Sequence, residues 1–174
     1  MILSDDSLIL RIKTRDLNAF RILVRRYIDR TYAIAFCILG TEPKADDTIQ
    51  RMFLELWRRP AHFLYGSGPL VIRLFKQTIA FSRAAQNRDA RSTSDYIVPI
   101  ATNEHFSSVQ LVHGALVCLP IDERLILLLS RSEELSAADI ANIVRVDTPA
   151  VISTLMKNQR HVRQLLRARN VALH

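Results

Sequence analysis

The run "TEPKADDTIQRMFLELWRRP", Thr41 to Pro60, constrains this chain more than any other. Ile49, Met52, Phe53, Leu56 and Trp57 recur at i, i+3, i+4, i+7 and i+8, a spacing that places them on one face only in an α-helix. The ends suit a helix as well. Thr41 is an N-cap candidate, Pro43 falls in the first turn, where proline is tolerated, and Pro60 stops the run. Asp46 and Asp47 sit towards the positive N-terminal pole, Arg58 and Arg59 towards the negative C-terminal one. Similar periodicity recurs along the chain. Only four of the 174 residues are glycine, and alternating β-branched runs are scarce. The expected fold class is all-α.

One residue of that helix breaks the pattern. At about 100° per residue, Leu54 lies with Asp47, Gln50, Arg51 and Arg58, on the side that should meet water. An apolar side chain inside a polar rim is the anatomy of a protein interface. A solitary exposed leucine is also common and carries no function by itself. The residues alone leave both readings open.

Other helices follow from the same rules. A short one starts at Ser4 or Asp5 with Leu8, Ile9 and Ile12 on its apolar side. A longer one runs from about Leu17 to Leu39. Its stripe is Phe20, Leu23, Val24, Tyr27, Ala35 and Ile38, and Gly40 is its C′ stop. "AHFLYGSGP", Ala61 to Pro69, reads as a turn-rich loop, and a fourth helix covers roughly Leu70 to Arg88. From Asn87 to Ser108 periodicity fades and Ser, Thr, Asn and Asp accumulate, the signature of a flexible linker. Four shorter helices are expected at about 107–118, 121–131, 136–144 and 148–168. The chain therefore divides into a domain over 1–91, a linker over 92–106 and a second domain over 107–174, with no internal repeat.

Charge separates the two halves. The chain carries a net +7 and is 49% apolar. Residues 1–91 hold 16 Lys and Arg against 9 Asp and Glu, whereas residues 92–174 hold 8 of each. From Lys157 onward there are five basic residues and no acidic one. Such an excess suggests a polyanionic partner, nucleic acid or an anionic membrane, without proving one. No apolar run approaches the roughly 20 residues that cross a bilayer. Asp5 and Asp6 stand where a signal peptide would be basic. A cytoplasmic protein without a membrane partner is expected. The two cysteines, Cys37 and Cys118, sit in apolar helical patterns without a second Cys or a His at ligand spacing, so no metal or other cofactor is expected. The five scattered histidines form no Ser/His/Asp or Cys/His arrangement, and no pair of carboxylates stands out, so an enzyme is not expected.

The clearest local motif is "LSAADIANIVRVDTPAVISTLMKNQRHVRQLL", Leu135 to Leu166. Ser136 caps a first helix, with Asp139 at N3 completing a capping box. Ala141 is small where a second helix must cross closely. After a turn at Arg145 to Asp147, the second helix is capped by Asp147 or Thr148, and Val151, Leu155, Val162 and Leu166 form its buried seam. This is the layout of a helix-turn-helix, whose second helix enters the major groove. On the face opposite the seam lie Ser153, Met156, Lys157, Arg160 and Arg163. An ordinary αα-hairpin with a solvated basic face has the same pattern.

With both halves read, the chain resembles the bacterial sigma factors of the extracytoplasmic-function group over nearly its whole length. "DLNAFRILVRRYIDRTYAIAFCILG" followed by "ADDTIQRMFLELWRRPAHF" looks like their second conserved region. "ALVCLPIDERLILLLSRSEELSAADIANIV" looks like the start of their fourth, where an "LP..ER" turn precedes the helix-turn-helix. The resemblance implies binding to core RNA polymerase, with Asp46, Asp47, Gln50, Leu54 and Arg58 docking on a coiled coil of the β′ subunit. It implies promoter DNA as a second partner. A flipped base of the −10 element would sit in a loop pocket over Phe63 to Pro69, with Tyr65 and Ser67 lining it. Arg73, Lys76, Gln77, Arg83 and Arg88 would follow the strand. Ser153, Thr154, Met156, Lys157, Arg160 and Arg163 would meet the −35 element. An anti-sigma factor is a further implied partner.

The chain also departs from that pattern. Leu70 stands where the family has a tryptophan, and Phe81 where it has an aspartate. The basic cluster after them is thinned to Arg83, Arg88 and Arg91. In the recognition helix the usual threonine-valine-lysine-serine-arginine series reads Ala150, Val151, Ile152, Ser153, Thr154, and Gln159 replaces a basic residue. The docking helix keeps the family's character while both DNA-reading surfaces are weaker. Two further readings therefore stand beside a promoter-opening factor: a sigma-like decoy that binds polymerase without opening promoters, and a helix-turn-helix regulator that binds duplex DNA alone.

Overall fold

The computed structural model describes residues 3–64, 68–92 and 119–158. Every regular element among them is an α-helix, in agreement with the expected class. The chain divides into two compact units, Met1–Val109 and Gln110–His174.

In the first unit, α1 (Asp5–Lys13) is capped by Ser4, whose hydroxyl accepts from the Ser7 amide at 3.3 Å. Its buried side chains are the expected Leu8, Ile9 and Ile12. Arg15, at φ 65, turns the chain in the left-handed region. Asp16 then caps α2 (Leu17–Leu39), accepting from the Asn18 and Ala19 amides at 2.9 and 3.0 Å. The Ala19 amide and the Arg11 guanidinium hold the Asp16 carboxyl below its ordinary value. Gly40 ends α2 at φ 71, where a glycine bears no steric cost, and its amide reaches the Phe36 carbonyl at 2.8 Å.

The helix α3 (Glu42–Arg58) begins at Thr41 with Pro43 in its first turn, but the Thr41 side chain makes no capping bond. The expected stripe is inside: Ile49, Met52, Phe53 and Leu56 are buried and Trp57 is half-buried. The stretch read as loop after Pro60 begins instead with a one-turn helix, α4 (Ala61–Leu64). Phe63 explains the difference, because burying its ring pulls this turn onto α1 and α5. The helix α5 (Leu70–Ser92) runs a turn past its expected end, so the segment read as linker from Asn87 starts as helix.

The core lies between α1, α2, α3 and α5, with α2 packed on the other three. Leu23, Tyr27, Ala35 and Ile38 of α2 are buried as expected, whereas Phe20 and Val24 are half-buried and Ala19, Thr31 and Ile34 complete the inner face. Of the buried hydroxyls, three bond within their own helices. Thr31, Thr78 and Ser82 each donate to the carbonyl four residues back at 2.8–2.9 Å, so none is left unsatisfied. Asp5 ties α1 to α2 by accepting from the Tyr27 hydroxyl and the Arg26 guanidinium. Burial and the Asp5 carboxylate push the Tyr27 phenol well above its ordinary value.

The second unit contains α6 (Ile121–Leu129), α7 (Ala137–Val144) and α8 (residues 148–158). Leu125, Ile126, Leu129, Ile140, Ala141, Ile143, Val144 and Val151 are buried. The Ser136–Asp139 capping box is present with both reciprocal bonds, at 3.0 and 3.1 Å. The Ser136 hydroxyl and amide, both donating to Asp139, hold its carboxyl below the ordinary 3.8. A depressed carboxyl contributes stability that is complete above its unfolded value and lost as pH falls through the folded one. Ser136→Ala should therefore lower the stability of this unit by about 1 kcal/mol at neutral pH. Its deficit should shrink in urea titrations run well below pH 3.8. An equal deficit at both pH values would mean that the box contributes nothing through its charge.

The expected helix at 107–118, the linker over 93–106, Cys118 and the helix beyond residue 158 lie outside the described residues. Among those described, no helix is long and apolar enough to cross a membrane.

Candidate polymerase-docking and DNA-reading faces

The outer side of α3 is built by exclusion. Ala45, Thr48, Ile49, Met52, Phe53 and Leu56 turn inward, which leaves Asp46, Asp47, Gln50, Arg51, Leu54 and Arg58 exposed. Leu54 is 48% exposed. Arg51 grips Asp47 with two nitrogens, Nε to Oδ1 at 3.0 Å and Nη2 to Oδ2 at 2.9 Å. That fork holds one edge of the face in a single arrangement. The C-terminal end of α3 is fixed by Arg15, whose guanidinium donates to the Trp57 carbonyl at 2.7 Å and lies over the indole at 5.5 Å. Phe20 packs on the same ring with centroids 5.1 Å apart. Exposure alone does not single out Leu54, since Leu10, Leu17, Ile22, Ile28, Ile152 and Met156 are also large, apolar and exposed. Leu54 lies among Asp47, Gln50, Arg51 and Arg58, the exposed groups of α3 around it.

The −10 surface is less open than the sequence suggested. Tyr65 and Ser67 lie outside the described residues. The Arg73 side chain is only 13% exposed and its guanidinium points to Asp6 of α1 at 3.7 Å. Lys76, Gln77 and Arg83 are half-buried, and only Arg88 of the five is exposed. Up to residue 88, the open positions along α5 are Ala80, Ala84, Gln86 and Asn87 beside Arg88. The resemblance implied an open row of Arg73, Lys76, Gln77, Arg83 and Arg88; packing of α5 against the other helices leaves four of the five partly covered.

On α8, the Asp147 carboxylate accepts from the Ala150 amide at 3.2 Å, which makes Asp147 the N-cap rather than Thr148. Arg145 turns the chain between the two helices at φ 68. Val151 is fully buried, but Leu155 is only half-buried. Asn158 takes the buried place in the next turn, donating to the Thr154 carbonyl at 2.9 Å. Ser153, Met156 and Lys157 are exposed as expected, whereas Thr154 is half-buried. Arg160, Arg163, Val162 and Leu166 lie outside the described residues. Two participants were missed. Ile152 is exposed beside Met156, one turn away. Glu123 of α6 lies 3.5 Å from the Lys157 ammonium. The first was legible as an apolar residue off the seam; the second depends on how α6 packs and left no trace in the sequence.

No protein-family model and no curated protein matches the sequence. Solved structures do match it. The structure of CnrH in complex with the cytosolic domain of CnrY superposes with a TM-score of 0.67, at 20% identity, over 94% of this chain and 97% of that one. The sigma factor RpoE in complex with the anti-sigma factor NepR, from Bartonella quintana, gives 0.64 at 20% identity, over 87% and 98%. Coverage is high in both directions, so the likeness is not confined to one shared motif. The chain has the all-α fold of the extracytoplasmic-function sigma factors.

Proposed function

We propose that this chain is a sigma factor of the extracytoplasmic-function type, which binds core RNA polymerase and directs it to promoters. The outer face of α3 carries the reading. It presents Leu54, 48% exposed, within a rim of Asp46, Asp47, Gln50 and Arg58. Residues 1–91 would dock on the β′ coiled coil and meet the −10 element. Residues 107–174 would meet the −35 element, with 92–106 as the linker. The protein works in the cytoplasm and performs no covalent chemistry. An anti-sigma factor is proposed as a regulator, because both similar structures named above were solved with a partner bound, NepR being an anti-sigma factor. Co-sedimentation with core polymerase tests the reading. The parent should travel with the enzyme and Asp47→Arg, which loses the fork to Arg51, should not. Equal recovery of the two proteins would remove the docking assignment.

A decoy that occupies polymerase without opening promoters is the second reading. The alanines at the open positions of α5 favour it, because they offer no cations to a DNA strand. Salt dependence separates the two on the other DNA-reading helix. Each phosphate contact displaces about one condensed counterion. If α8 meets DNA, Lys157→Ala lowers the slope of log affinity against log salt by about one for holoenzyme on duplex DNA. An unchanged slope moves the decoy ahead.

A further inference from the structure

We infer that the exposed apolar pair Ile152 and Met156 reads thymine methyl groups, so that thymine is selected in the DNA element met by α8. This rests on the proposed DNA-reading role of α8.

The geometry is simple. Ile152 is 42% exposed and Met156 57%. They are one turn apart on the same exposed arc of α8, about 6 Å along its axis, so both side chains can enter one groove. Ser153 and Lys157 follow them around the exposed arc, while Val151 and Asn158 face inward. The Lys157 side chain is 70% exposed and its ammonium lies 3.5 Å from Glu123 of α6, so the cation sits at the edge of the arc. Within the arc, Ile152 and Met156 are the apolar side chains open to base edges.

In the major groove an apolar side chain recognises one chemical group, the C5-methyl of thymine. Guanine and cytosine edges present only donors and acceptors there, and an isoleucine or methionine would strip their water without replacing it. Charge favours DNA over a protein as the occupant. The pair is followed in sequence by Lys157 and four further basic residues with no acidic one, a phosphate-seeking composition. Ser153 fits the same groove, because its hydroxyl serves any base as donor or acceptor.

Replacing thymine by uracil removes the methyl and nothing else. A duplex pool enriched from a randomised library on holoenzyme would be resynthesised with either thymine or uracil and its retention compared. One buried methyl group is worth roughly fourfold in affinity, so two give roughly tenfold or more in favour of the thymine pool. Ile152→Gln with Met156→Gln should cut that ratio sharply, since methyl groups read elsewhere in the complex contribute equally to both proteins. Both side chains are exposed, and an unchanged circular dichroism spectrum would show that the fold is kept. Equal thymine-to-uracil ratios for parent and variant overturn the inference. If Lys157→Ala still weakens binding in that case, α8 meets DNA and only the thymine reading fails. If Lys157→Ala has no effect either, the DNA-reading role itself is wrong. Loss of core polymerase by the double variant would make the pair a protein-docking surface and would also overturn the inference.

Discussion

Phe53→Ala lowers the unfolding free energy of the first unit by about 3–5 kcal/mol, the range for removing a buried phenylalanine ring. Phe53 is 5% exposed and sits on the face of α3 that packs against α2 and α5. Its neighbours on that face, Ile49, Met52 and Leu56, are themselves buried in contact with other helices, so they have little room to close the cavity. The loss should appear as a lower urea midpoint with little change in the slope of the transition. A midpoint equal to the parent's would mean that α3 has the wrong face inside, and the docking assignment would fall with it. The size of the effect matters for the function. A domain of this size has roughly 5–15 kcal/mol of total stability, so this one substitution removes a large share.

The adjacent residue behaves differently. Leu54→Asp should leave the urea midpoint within about 0.5 kcal/mol of the parent, as exposed positions do. It should weaken binding to core polymerase by on the order of 2 kcal/mol, roughly thirtyfold. The two variants are neighbours in sequence and opposite in consequence. Phe53 faces the core and Leu54 faces solvent. A Leu54→Asp protein that binds as tightly as the parent, with its circular dichroism unchanged, would make Leu54 one more exposed leucine, like Leu10 or Leu17.

Much of this was legible in the sequence because helices advertise themselves locally. Gly40 and the 17–39 stripe bounded α2 at its observed ends, since a left-handed stop and a 3.6-residue rhythm are both properties of neighbouring residues. The Ser136–Asp139 box was equally local. What escaped the sequence depends on tertiary packing. The turn at Ala61–Leu64 forms because Phe63 finds a place against α1 and α5, which no window around Phe63 reveals. Arg73 turns to Asp6, a residue 67 positions earlier, and so is less open than the resemblance implied. Leu155 shares its seam with a buried asparagine, which satisfies its amide on the Thr154 carbonyl and so tolerates a place that polarity alone would refuse it. On α3 the proposed docking face rests on a different kind of signal. Leu54 departs from the local rule, and departures from local consistency are where function tends to sit.

Run-off transcription with core polymerase and genomic fragments tests the central claim most directly. The account predicts discrete transcripts that require the parent protein and disappear with Leu54→Asp. A stable complex with polymerase that yields no transcript from any fragment would contradict it and favour the decoy. Binding to duplex DNA without any association with polymerase would contradict it in favour of a stand-alone regulator.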